Sequence, residues 1–172
     1  MSPVALPALC ALAIACIAAF TDLRARVIPN WLTLPAFVCG LMWHVFLGGA
    51  EGALFSVLAT LLCFTPAYFL FVRGALGGGD VKLFAALGAW LGARDGLELE
   101  LTAFVVVAAF ALWSMAWNGR LIALLCASAR ATLHLLAPSR FARPLPTEGS
   151  AELPMGGAIL LAAVALFVRS AL

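Results

Sequence analysis

Five stretches of this chain, residues 1–21, 27–50, 52–72, 101–119 and 153–168, contain no Asp, Glu, Lys or Arg. A helix that crosses a bilayer needs about 20 mainly apolar residues, within a range of roughly 17–25. The first four stretches meet that length, and the fifth meets it by running past Arg169 to Leu172. Composition agrees: 65% of residues are hydrophobic and 10% charged, against roughly 45–50% and about 25% in soluble domains. A water-soluble enzyme, a disordered tail and a coiled coil are excluded. With 172 residues, the expectation is one transmembrane domain over 1–172.

A sixth apolar stretch, Leu83–Ala93, lies between Lys82 and Arg94. Its helix would be only about 16 Å long, against a hydrocarbon core of ~30 Å. It crosses only by starting upstream, which carries Asp80 and Lys82 toward the bilayer. The expected fold is therefore an all-α, polytopic integral membrane protein with about six transmembrane helices. Six crossings put the loops 22–30, 73–82 and 119–152 on one side. Those loops hold Arg24, Arg26, Arg73, Lys82, Arg120, Arg130, Arg140 and Arg143, eight of the ten basic residues. The positive-inside rule makes that side cytoplasmic and both termini external. Glu51, Asp95, Glu98 and Glu100 fall on the opposite side.

Net charge is +2, too balanced for a nucleic-acid footprint. No basic residue precedes Asp22, so the first helix lacks the charged start of a signal peptide. Cys10, Cys16, Cys39, Cys63 and Cys126 form no CxxC pair; they read as small buried hydrophobes, with no metal site or disulfide framework. Trp31, Trp43, Trp90, Trp113 and Trp117 fall near expected helix ends and read as interface belts. Residues 119–137 read as an interfacial helix or a continuation of the fifth span, and 138–150, with three prolines, as a loop.

Two acids stand at the expected cytoplasmic ends of spans: Asp22, in Thr21-Asp22-Leu23-Arg24, and Asp80, in Gly77-Gly78-Gly79-Asp80-Val81-Lys82. An ionisable group at membrane depth costs about 2.5–3.5 kcal/mol on insertion scales, so it rarely stands there without a role or partner. Gly77, Gly78 and Gly79 make a poor helix, each costing about 1 kcal/mol against alanine, and they let another backbone come close. A wet, backbone-accessible pocket ending in a carboxylate suits peptide hydrolysis. The plainer readings are that Asp80 caps the next helix and that Asp22 pairs with Arg24 or Arg26. After Asp22, Pro29 pre-sets a turn and Asn30 is placed to cap the second helix. Lys82 either biases Asp80 electrostatically or snorkels to the interface.

Two carboxylates in one site cannot both ionise easily, so one keeps a proton while the other acts on water. Such a pair needs no metal or other cofactor. His44 and His134 are far apart in sequence, and no Ser/His/Asp or Cys/His arrangement is visible. If the chain is a catalyst, Asp22 and Asp80 are its candidates.

Gly77-Gly78-Gly79-Asp80 resembles the GxGD motif of intramembrane-type aspartyl proteases, and Val81-Lys82-Leu83 resembles its continuation in the type IV prepilin peptidases. Thr21-Asp22 with Ile28-Pro29-Asn30 is similar to that family's first aspartate region. Glu152-Leu153-Pro154-Met155-Gly156-Gly157-Ala158 resembles the proline-containing lead-in to its last helix. The resemblance implies a multi-pass protein of the bacterial inner membrane. It would remove the short basic leader of prepilins or pseudopilins at the cytoplasmic face, with Asp22 and Asp80 as the catalytic pair. Its partners would be that substrate and the lipid bilayer. Longer family members carry an N-terminal domain with paired CxxC zinc motifs, associated with methyl transfer. Here the connection over 22–30 is short and has no CxxC. The chain is therefore expected to lack the zinc/methyltransferase domain and to resemble the short enzymes of tight-adherence (Flp) or Caulobacter-type pilus systems. Two other classes fit the same acids: a small proton-coupled transporter or channel subunit using them as a relay, and a scaffold in which they only cap helices.

Overall fold

The computed structural model describes residues 5–117 and 155–171. Four helices make up this region: α1 (Ala5–Ala25), α2 (Asn30–Val72), α3 (Gly78–Trp117) and α4 (Met155–Ala171). Three are long and apolar enough to cross a membrane, over Leu6–Ala25, Asn30–Val72 and Gly78–Ser114, and Met155–Ser170 is a shorter apolar helix. An all-helical membrane architecture is thus what the sequence folds into. The expected segments 119–137 and 138–150, together with Cys126 and His134, lie outside the described residues.

The chain forms two compact units, Met1–Val106 with Pro154–Leu172, and Val107–Leu153. Of the second, residues 107–117 continue α3, and the Trp113 and Trp117 rings stack 5.9 Å apart.

In the first unit, α2 and α3 each fold back on themselves at a glycine. Gly49 has φ 56° and ψ −132°, and Gly92 has φ 81° and ψ 176°, both outside helical space. Positive φ is cheap only for glycine. The reversal is visible in what the flanking glycines approach. Gly52 lies against the carbonyl of His44, and a Cβ on Gly96 would sit 3.2 Å from the Cα of Gly88. Residues 30–48 and 50–72, and likewise 78–91 and 93–106, are therefore antiparallel neighbours.

Small residues let these segments approach. A Cβ on Gly88 would meet Ala59 O and Cys63 Sγ, both at 2.9 Å, and Ser56 Oγ donates to Ala89 O at 3.1 Å. Trp90 departs from the interface-belt expectation. It is 8% exposed, and its Nε1–H donates to Ala36 O at 2.7 Å, bolting residues 78–91 to the first half of α2. Cys63 is buried as expected, but Cys16 and Cys39 are exposed on the apolar surface.

The core collects Ala11, Ala15 and Ala18 of α1, Leu83, Phe84 and Leu87 of α3, and Ile159, Ala162 and Ala163 of α4. Glu100 joins it. The sequence reading put this acid with the loop charges near Arg94, yet it is 1% exposed, beside Cys63 and the backbone of Ala67. Once Gly92 reverses the chain, Glu100 lies two turns inside the returning helix. Asp95 and Glu98 stay at the helix end, where both bond Arg169 of α4.

Candidate active site

The end of the first unit opposite Gly49 and Gly92 gathers the C-termini of α1 and α2 and the N-termini of α2, α3 and α4. How each helix stops or starts decides what projects there. Helix α1 ends at Arg26, which adopts φ 51° and donates its N–H to Asp22 O at 2.8 Å. This left-handed cap costs a non-glycine residue roughly 1–2 kcal/mol, and it leaves Asp22 in the last turn rather than beyond it. Helix α2 ends in a Schellman arrangement around Gly74 (φ 73°): Gly74 N–H bonds Phe71 O and Ala75 N–H bonds Leu70 O, both at 2.9 Å.

Helix α3 begins at Gly78, so only Gly77 of the glycine run lies outside the helix. Val81 N–H bonds Gly77 O at 3.3 Å, which makes Gly77 the cap and Asp80 the third helical residue. From there the Asp80 carboxylate reaches back and accepts from the backbone N–H of Gly77, the acidic half of a capping box. The plain reading of Asp80 as a helix cap is thus present in the structure. Asp22 lies close enough for its charge to act on Asp80. Both acids are partly buried.

The connection between α1 and α2 holds these two helix ends together. Ile28 is buried against the glycine run, where a Cβ on Gly79 would lie 3.0 Å from Ile28 Cβ. Pro29, extended at φ −76° and ψ 144°, occupies the N-cap of α2 with no side-chain cap bond. Asn30 does not cap the helix as expected. It is the first helical residue, and its Oδ1 accepts from Lys82 Nζ at 2.9 Å. Lys82 is exposed and ties the two motifs together. On the far side the Phe71 ring is 3.4 Å from where a Gly78 Cβ would be, and Phe64, Tyr68 and Phe71 form a row of ring contacts leading to it.

Asp22 has a contact that no sequence argument assigned. Its Oδ2 accepts the backbone N–H of Gly156, at 2.9 Å, from the first turn of α4. The expected pairing partners were Arg24 and Arg26, next to it in sequence. The partner comes from 134 residues away because α1 and α4 pack along each other. The one sequence signal was the adjacent glycines, 156 and 157, at the start of an apolar helix.

With two acids, backbone donors and an aromatic wall at one helix-bundle end, the site has the parts for acid–base chemistry on a peptide. Comparisons with known proteins agree. The model of the type IV leader peptidase family matches residues 9–136. A prepilin leader peptidase/N-methyltransferase of Burkholderia pseudomallei (strain 1026b) is 37% identical over 107 residues, which cover 58% of this chain and 34% of that protein. The protein of the same name from Dickeya chrysanthemi is 35% identical over 99 residues, 54% of this chain and 35% of its own length. That from Klebsiella pneumoniae is 39% identical over 83 residues, 44% of this chain and 36% of its own. The alignments thus span about a third of the length of these curated relatives. No solved structure matches. The family model covers both aspartate motifs and well over half of the sequence, and this chain belongs to the type IV leader peptidase family.

Proposed function

We propose that this chain is a membrane aspartyl endopeptidase that removes the leader of type IV prepilins or pseudopilins, with Asp22 and Asp80 as its catalytic pair. The observation that carries the reading is that Asp22 and Asp80 share one end of the helix bundle, close enough for the charge of one to act on the other, within a family of peptidases. The ionised member of the pair takes a proton from water, and the hydroxide adds to the scissile carbonyl as the other member protonates its oxygen. The resulting diol collapses as the amine leaves with a proton. Neither acid needs a metal for these steps.

Six crossings is the topology we favour, because the breaks at Gly49 and Gly92 divide the described helices into six segments. Residues 78–91 make about 20 Å of helix, short of a ~30 Å core, which would leave the Asp80 end recessed. Arg24, Arg26, Arg73 and Lys82 lie at that end and Arg94 and Arg169 at the other. By the positive-inside rule the site would face the cytoplasm of a bacterial inner membrane. The proposed substrate docks as a helix against the apolar surface, its basic leader in the cytoplasm. An Flp-like pilin is the favoured substrate, from the short 22–30 connection. No methyl transfer is assigned to residues 1–172, and kinship with peptidases does not favour the transporter.

The test is leader removal from a co-expressed type IV prepilin by Asp22→Asn and Asp80→Asn variants. Asparagine keeps the acceptor that bonds Gly156 or Gly77 N–H, so both variants should insert and fold. Each should lose processing by at least a hundredfold on a gel-shift assay. Processing at the parental rate by both would remove the dyad.

A further inference from the structure

Asp22 is anchored by a contact made between helices that begin and end far apart in sequence. The stripe Ala8, Ala11, Ala15, Ala18 and Ala19 on α1 is buried, as are Ala158, Ile159, Ala162 and Ala163 on α4. The alanines let the two backbones run close together, and the first turn of α4 arrives at the last turn of α1. The first N–H groups of a helix have no partner within it and carry partial positive charge. One of them, Gly156 N–H, meets Asp22 Oδ2 at 2.9 Å.

The room for this contact exists only because position 156 has no side chain. A Cβ there would lie 2.8 Å from Asp22 Cβ, 2.9 Å from Oδ2 and 3.0 Å from Ala19 Cα. The Cβ and Cα partners are set by the α1 backbone, so no side-chain rotation relieves them. Gly157, one residue on, would meet nothing within 4 Å. The demand for glycine is therefore specific to the residue that donates.

We infer that the Gly156 backbone N–H is a positioning group for the reaction. Resting on the peptidase reading above, it holds Oδ2 of Asp22 against α4 and leaves Oδ1 as the oxygen presented to the shared water. The apolar helix α4 thereby sets the angle of a carboxylate on α1. Gly156 itself touches no substrate.

The decisive experiment replaces Gly156 with glycolic acid in the full chain, exchanging one amide N–H for an ester oxygen without adding an atom that could clash. Removing a hydrogen bond to a charged group costs about tenfold or more in an equilibrium or rate constant. The ester should therefore cut kcat on a purified type IV prepilin by about tenfold or more, with KM within about twofold of the parent. Gly156→Ala should fall at least as far, and Gly157→Ala should cleave at the parental rate. If the ester protein keeps the parental kcat while Asp22→Asn is inactive, the positioning role is wrong and the dyad stands. A rise in KM alone, or a loss of thermal stability at unchanged kcat, also overturns it. If the parent itself cleaves no prepilin, both readings fall together.

Discussion

Replacing Gly92 by alanine tests the chain reversal on which the bundle depends, because two pictures of residues 78–117 predict opposite signs. In a continuous helix, Gly92→Ala would stabilise by about 1 kcal/mol through helix propensity. In the structure Gly92 has φ 81° and ψ 176°, a region essentially reserved for glycine, where another residue costs about 1–3 kcal/mol. A Cβ there would also lie 2.8 Å from Cε1 and Cζ of Phe55. That ring is half exposed, so it can swing aside, and the backbone term dominates. The expected result is a loss of about 1–3 kcal/mol, or roughly a 5- to 150-fold smaller folding equilibrium constant. The assay is unfolding in dodecyl maltoside micelles by added SDS, followed by tryptophan fluorescence. Repeating the substitution in a Phe55→Ala background removes the ring contact and should leave most of the loss. A Gly92→Ala protein as stable as the parent, or more so, would refute the reversal.

Two further outcomes follow from the contacts around this fold. Trp90→Phe keeps most of the buried ring but removes the N–H that bonds Ala36 O, and should cost about 1 kcal/mol in the same unfolding assay. For Lys82→Met and Asn30→Leu, a double-mutant cycle should give a small but measurable coupling of about 0.2–1 kcal/mol, because the pair is exposed. A coupling near zero would remove the strut between the two motifs.

Much of this protein was legible along the chain. Charge-free windows of membrane length disclose apolar helices because a bilayer satisfies no backbone group, and the acids stand out because burial in it is costly. The local motifs around Asp22 and Asp80 were likewise readable, since each acid and its neighbours are contiguous. What a linear reading could not supply was direction. Asn30 looked like a cap by residue type, yet Pro29 occupies that position and Asn30 turns to Lys82, 52 residues away. Trp90 looked like an interface residue by its place near an expected helix end, and Glu100 like a loop charge by its grouping with Asp95 and Glu98. The reversal at Gly92 takes both into the packed interior.

By itself, then, the sequence determined that the chain is a helical membrane protein carrying two aspartate motifs, because apolar run length and the price of a buried charge are local properties. Tertiary structure alone decided where the helices turn, and that Asp22 leans on α4 through Gly156. Those outcomes depend on which backbones are small enough to touch, and the residues concerned are neighbours only after folding.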